Sequence, residues 1–468
     1  MRLFPKIILT SAIFASFFIF YPSFNYYFFQ DDWFVLNWVT NNPITSFFAF
    51  RTDIIYWRPI SMPILFFVVN KVFSLNPLAY HLIAYSFFIL LMFSIYKLFN
   101  MLLKDQKMAS VGAFLYGVWS IHFISLSWFS TTSYILGPFF IVWSLIKFLE
   151  FSSTGKKLAY ILSFLFFIFA IASTEFAILI PVIIFVHSVI YKKKIIFKLL
   201  LPFSLIIVTY MILRFVIFPI PSEGDYSLSF NTTLIKNFGW YILWALGFPE
   251  RFNTLIYPAL PKESLNAFLE FWKVSLPASL LSILIFSRVV IFFKKNLKVN
   301  IFAIVWFIVS LTPVILLSNH SYPVYLSLAG IGFILLIVST FRSANYFLIV
   351  GLMLLWLITS YANIDFTRKT HWIPNEQAVS EAYTQYAKSK RPTISDDTVL
   401  ILRRPDNYFA IDHNFVLVES EDTLKLSLSD QNAMKVVYGH KNLQSIYSDK
   451  LIDPNEFKQP IFEIFPKR

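Results

Sequence analysis

The sequence predicts a mainly α, polytopic membrane protein with about eleven transmembrane helices and a small C-terminal α/β domain outside the membrane. Three observations predict it. Of the 468 residues, 57% are hydrophobic and only 14% charged, with a mean hydropathy of +0.65; soluble domains carry about a quarter charged residues. Apolar runs of about 20 residues, the length needed to cross a bilayer, recur along the chain. The positive charge is also unevenly placed. From Ser395 onward there are 9 Lys+Arg against 12 Asp+Glu, so the excess behind the net charge of +13 lies in the apolar part. Positive-inside loops explain that excess, and no nucleic-acid partner is implied. The 56 Phe, 24 Tyr and 12 Trp suit a lipid-facing surface with aromatic belts. With no Cys, disulfides, thiolate metal sites and Cys nucleophiles are excluded.

Taken in order, the spans are expected near residues 5–23, 79–103, 108–126, 132–150, 158–173, 175–191, 197–219, 274–293, 299–317, 323–341 and 344–361. The first, KIILTSAIFASFFIFYPSF, has the basic start of a signal sequence but no small-x-small cleavage site, and reads as a retained signal anchor. Every even-numbered span is followed by Lys or Arg: Lys97, Lys104 and Lys107; Lys147, Lys156 and Lys157; YKKKIIFK; Arg288 and KKNLK; Arg342. That alternation puts the N-terminus and these loops on the cytoplasmic side of a plasma (inner) membrane. The remaining loops and the tail then face outward.

The first outer loop, 24–78, contains PISMPILFFVVNKVF, too short to cross and suited to lie at the interface. LIKNFGWYILWALGFP (234–249) is also short and reads as a re-entrant or surface helix. Residues 1–361 form the membrane domain and 362–468 the outer domain. In the tail, NEQAVSEAYTQYAKSK (375–390) predicts an exposed helix, and TVLILRR, NFVLVES, TLKLSLS and AMKVVY have β-branched or alternating patterns.

The candidate functional residues share the outward face. QDDWFVLNW places Asp31 and Asp32 beside aromatic residues just after the first span. They can be a solvated turn capping a helix that begins at Trp33, a general base for a hydroxyl, or half of a metal site. Arg58, in YWRPISMP, can snorkel to headgroups or bind phosphate in a two-pronged way. Glu175 in STEFAIL is either a first-turn acid of a helix or an acidic site residue. Arg214, inside the seventh span, is a functional candidate because an intramembrane Arg is costly, although it can snorkel outward. His320 and Tyr322 in SNHSYP stand at the outer mouth of the tenth span, where a His can bond phosphate or hydroxyl groups. His122 and Trp128 face the same way. There is no P-loop, GxGxxG, HExxH or GxSxG motif. Few acids lie within spans and no inverted repeat stands out, which argues against an ion-coupled transporter.

The acid pair after span one resembles the first-loop acidic signature of GT-C glycosyltransferases. WRPISMPILFFVVNKVFSLNPLAYHLIAYSFFIL, HFISLSWFSTTSYILGPFF, FAIASTEFAILIPVII and SNHSYPVYLSLAGIGFILL resemble, in that order, blocks of the family-39-like and protein O-mannosyltransferase-like branch, most of all the membrane O-mannosyltransferases that bear TPR arrays. The likeness covers roughly the first 340 residues, and no TPR array follows. Thr174 stands where the family block has Lys, and SWFSTTSYIL lacks the Arg and Asp often seen in relatives.

The resemblance implies a membrane-bound hexosyl or pentosyl transferase. It would take a polyprenyl-phosphate-linked sugar and pass it, with inversion, to a hydroxyl on a glycan, lipid or protein outside the cytoplasm. Asp31 or Asp32 would be the base. Arg58, Arg214, His320 and Tyr322 would face the lipid phosphate, with Glu175 as the family's acidic residue. No cofactor is implied, and the acid pair leaves a divalent metal open. Two other classes fit the bare sequence: a non-catalytic or flippase-like carrier of lipid-linked glycans, and a sensor whose tail binds a ligand.

Overall fold

A computed structural model of the chain describes residues 3–52, 54–191, 197–218, 231–252, 264–317, 320–404, 409–411, 414–416, 418, 420–448 and 459–464. The Lys run at 192–194, residues 318–319 and much of the 220–273 stretch lie outside them.

The protein is an integral membrane protein built mainly of helices. In chain order these are α1 (Leu3–Phe20), α2 (Asp31–Asn41), α3 (Leu65–Phe73), α4 (Pro77–Leu103), α5 (Gln106–Gly117), α6 (Phe123–Ser127), α7 (Ser133–Thr154), α8 (Lys157–Ile171), α9 (Ile180–Ile190), α10 (Phe197–Ile212) and α11 (Thr233–Ala245). They continue with α12 (Ser264–Phe292), α13 (Leu297–Leu311), α14 (Leu326–Phe341), α15 (Tyr346–Thr370), α16 (Trp372–Lys390), α17 (Glu421–Ser427) and α18 (Asn432–Tyr438). Each of the eleven expected spans has a helical counterpart. By length and composition alone, seven helical stretches among the described residues can cross a membrane, or eight with the pair Gln106–Gly117 and Ser120–Ser127, bent by 47°. One of the seven, Trp272–Leu311, takes in most of α12 and all of α13. The helices at Lys157–Ile171 and Glu175–Ile190 are apolar but shorter.

Local chemistry sets the boundaries. The Asp105 side chain accepts from the Met108 N–H (3.1 Å) to start α5, and Asn345 caps α15 from the Leu348 N–H (2.9 Å). Gly155, at φ +70°, ends α7 where a side chain would be strained. In the bundle α7 packs on α8, α13 on α14, and α1 and α4 on α5. Small residues permit the close approaches. A Cβ on Gly332 would lie 2.6 Å from the Ala303 carbonyl oxygen and 2.8 Å from the Phe307 nitrogen.

The first loop and the tail share a second core. Trp33 and Leu36 of α2, with Phe66, Tyr80 and Phe129, pack with Val379, Tyr383, Leu400, Leu424 and Met434. The 375–390 helix is therefore half-buried rather than exposed: Glu376, Val379, Ser380, Tyr383 and Ala387 face inward. β1 (Val399–Leu402), β2 (Phe409–Ile411), β3 (Asn414–Val416), β4 (Gln444–Tyr447) and β5 (Ile461–Ile464) complete the tail. The order β4-β1-β5 is parallel, and β2 and β3 form an antiparallel pair.

TLKLSLS and AMKVVY are helical, against the strand expectation. In the first, Leu424 and Leu428 are buried while Leu426 is exposed, a four-residue spacing. Ser420 caps that helix from the Thr423 N–H (3.0 Å), with Glu421 and Asp422 in its first turn. Gly439, at φ +73°, closes the second.

Candidate active site

The helix expected to begin at Trp33 begins two residues earlier, so both acids lie in the first turn of α2 and not in a solvated cap. Their environments differ. Asp32 is 2% exposed, and its Oδ1 accepts from the Ser130 N–H (2.8 Å) and the Ser130 hydroxyl (2.6 Å). Burial pushes its carboxyl up to about 7 against those bonds. Asp31 is partly exposed. Desolvation raises its carboxyl as well, opposed by the positive charge of Arg58 and a hydrogen bond from the Tyr56 hydroxyl. Asp32 thus ties α2 to the 129–132 turn, and Asp31 is the acid turned toward Tyr56 and Arg58.

Arg58 is enclosed. Its Nε donates to both carboxylate oxygens of Glu175 (3.1 and 3.0 Å) and its Nη2 to Glu175 Oε2 (2.8 Å). Nη1 donates to the Ser133 hydroxyl (3.0 Å), Nη2 also reaches the Tyr134 hydroxyl (3.4 Å), and the rings of Tyr56 and Tyr134 flank the guanidinium. The Glu175 carboxylate holds the guanidinium well above its ordinary range, outweighing burial together with Tyr134. The backbone pins this pair in place. Pro59 leads into a π-helical turn at Ile60–Ile64, whose Ile60 N–H donates to the Ala172 carbonyl (2.9 Å). The Ser61 hydroxyl donates to the Ser173 carbonyl (2.8 Å). Thr174 caps the 3-10 turn that Glu175 opens.

Arg214 does not snorkel. It is 1% exposed, on a π-helical turn (Leu213–Ile217) that extends α10, and its guanidinium donates to the carbonyls of Arg51 (2.9 Å) and Ile54. It therefore grips the first loop from behind. Arg51, Tyr56 and Arg58 line a small cleft together with Trp38, Trp57 and Pro59. The Arg51 guanidinium lies 5.0 Å from the Trp38 ring centre.

His320 and Tyr322 stand further off. Their rings are 4.9 Å apart, His320 is 6.0 Å from Tyr325, and Tyr325 is 5.4 Å from Tyr134. Aromatic rings thus connect them to Arg58. The structure brings Asp31, Arg58 and Glu175 together, sets Arg214 behind them and leaves His320 and Tyr322 at the edge. Sequence reasoning passed over Tyr56, two residues from Arg58, and reached Ser130, Ser133 and Tyr134 only as part of the outward block HFISLSWFSTTSYILGPFF, without a partner for any of them. Among the described residues, no three of His, Asp and Glu converge as a metal site.

Chemically, the corner offers one accessible carboxylate beside a fixed cation, next to helices with a lipid-facing surface. It can take a proton and oppose negative charge at neighbouring points.

The fold is similar to that of ArnT from Cupriavidus metallidurans, solved bound to undecaprenyl phosphate. The TM-score is 0.50 and the identity 10%, over 95% of this chain and 86% of that one. The likeness is one of fold, a polytopic helical membrane protein. The archaeal oligosaccharyltransferase AglB from Archaeoglobus fulgidus, in complex with an inhibitory peptide and a dolichol-phosphate, matches with a TM-score of 0.48 and 14% identity over 86% of this chain. This chain spans 62% of that oligosaccharyltransferase. No protein-family model matches the sequence, and no curated protein does.

Proposed function

We propose that, on this fold, the chain is a membrane glycosyltransferase. It moves a sugar from a polyprenyl-phosphate-linked donor to a hydroxyl of a glycan, lipid or protein. The observation that carries the reading is Asp31: a partly exposed carboxylate, raised by burial, facing Tyr56 and Arg58 in a chain that folds like ArnT. The undecaprenyl phosphate in ArnT supports the donor class.

In the step envisaged, the acceptor oxygen attacks the anomeric carbon from the face opposite the phosphate. The bond from that carbon to the phosphate oxygen breaks, its electron pair leaves with the phosphate, and the configuration inverts. Asp31 accepts the hydroxyl proton as the new bond forms. Asp32 holds the start of α2 on Ser130. A phosphate leaving group needs stabilisation of its growing charge rather than an acid. Arg58 supplies that charge, Glu175 orients it, and Arg214 holds the loop that carries it. His320 and Tyr322 border the donor beyond Tyr325.

The Lys and Arg after alternate spans support an N-terminus in the cytoplasm of a plasma (inner) membrane. The chemistry and residues 362–468 then lie outside, with residues 1–361 forming the catalytic membrane domain.

The test compares cell-surface glycans by mass spectrometry with and without this protein, then with Asp31→Asn and with Asp31→Asn/Asp32→Asn. Asp31→Asn should lower product at least roughly 100-fold at equal protein level. Asp32→Asn, which keeps an acceptor for Ser130, should retain part of it. Transfer that survives the double change in purified, folded protein points instead to a carrier of lipid-linked glycans. A ligand-binding sensor predicts loss on deleting residues 375–468, with no glycan change at all.

A further inference from the structure

The residue before the acid pair is held in a backbone conformation that side chains rarely adopt. Gln30 has φ 46° and ψ −121°, although it is not glycine. It is the N-cap of α2, yet its side chain does not cap the helix. Both of its polar ends are engaged by the C-terminal region instead. Its backbone N–H donates to the Ser427 carbonyl at the end of α17 (3.1 Å). Its side-chain amide donates to Glu376 Oε2 of α16, a short contact to a carboxylate that is 8% exposed. Neighbouring bonds follow the same route. Tyr27 N–H donates to Gln377 Oε1 (2.9 Å), Trp33 Nε1 to the Ser380 hydroxyl (2.7 Å), and Asn37 to Asn432 (2.7 Å).

Strain of this kind persists only where the surroundings over-determine it. Here the surroundings belong to the tail, and the strained residue is bonded directly to the proposed base.

We propose that Gln30 and Glu376 are positioning residues: through them and the Ser427 carbonyl, the C-terminal region sets the direction of Asp31. This deepens the transferase reading and rests on it for its catalytic consequence. Removing the Glu376 acceptor or relaxing Gln30 lets the first turn of α2 rotate, carrying the Asp31 carboxylate away from Tyr56 and Arg58. Substituting Gln for Glu376 keeps an oxygen for the Gln30 amide.

Two readouts on the full-length protein test this. The first is the pH profile of carbodiimide modification of Asp31, followed by peptide mass spectrometry. The second is the glycan product in native cells, normalised to folded protein. Glu376→Leu and Gln30→Gly should each shift the Asp31 profile by about one pH unit and lower product at least roughly tenfold. Glu376→Gln should keep both close to wild type. Gln30→Gly frees the strained backbone but also removes the donor to the buried Glu376 carboxylate, so its melting temperature is read alongside and its product counts only after normalisation to folded protein. The proposal is overturned if Glu376→Leu and Gln30→Gly leave the Asp31 profile unchanged, or if product falls only in proportion to lost folded protein. If Asp31→Asn keeps full product, the transferase reading fails, and the modification profile still decides the positioning claim.

Discussion

Two spans of this protein are equally hydrophobic and opposite in burial. Pro323–Phe341, which includes α14, and Phe197–Ile217, which includes α10, have the same mean hydropathy, yet the core of the first is 89% buried and that of the second 17%. The difference lies in side-chain size. The first carries Gly332, where the α13 backbone comes close, and Gly330, which leaves room for the Trp119 ring. The second turns large residues such as Val208, Phe215 and Val216 outward and buries one stripe, Phe203, Tyr210 and Arg214. Both deliver their ends to the same corner. Tyr325, where the first span begins, packs on Tyr134 beside Arg58. Arg214, near the end of the second, holds the loop at Arg51 and Ile54. One helix positions the site by packing, the other by a single cation.

The sharpest way to break this comparison is Gly332→Val. Its Cβ would meet backbone of the α13 helix, which cannot give way. A loss of about 3 kcal/mol or more is expected, read as collapse of the monodisperse peak in size-exclusion chromatography. Survival with a normal melting temperature would mean the bundle is looser than this packing implies.

Next comes Arg214→Ala. It leaves two loop carbonyls without their donor, worth about 1–3 kcal/mol. The shift of the loop carrying Arg58 should lower glycan product between about 10- and 100-fold. A variant with normal product would reduce Arg214 to a packing residue.

A smaller effect concerns pH. In the proposed transfer Asp31 acts as a carboxylate, and its carboxyl is raised above the ordinary range. Activity should therefore fall on acidification at a pH above that range and be full on the alkaline side. Rate measurements on purified protein across pH 4–9 check the sign, and a rate that rises on acidification would contradict it.

The smallest effect is expected at Val216→Leu, on the outward face of the second span. It should change stability by no more than about 0.5 kcal/mol, read as an unshifted thermal scan.

The helices of the bundle were legible because bilayer thickness forces long apolar runs, and loop charge marks the alternation. The acids and Arg58 were legible as chemistry out of place in an apolar chain. The tail was less so. TLKLSLS fits alternation and a four-residue helical spacing equally well until packing shows that Leu424 and Leu428 point inward together. The 375–390 helix looked exposed because its buried Glu376 and Ser380 are polar, and only their partners Gln30 and Trp33 explain them.

The sequence by itself determined that this chain crosses a membrane many times, where along it the charged stretches fall and which few acids and cations break the apolar pattern. These follow from local composition, since burying a charge in lipid is costly wherever it falls. Only the tertiary structure decided that Arg58 pairs with Glu175, 117 residues away, that Asp32 is buried on Ser130 while Asp31 is left partly open, and that the tail holds Gln30. Those outcomes depend on which helix ends meet, and equal hydropathy cannot tell one packed helix from another.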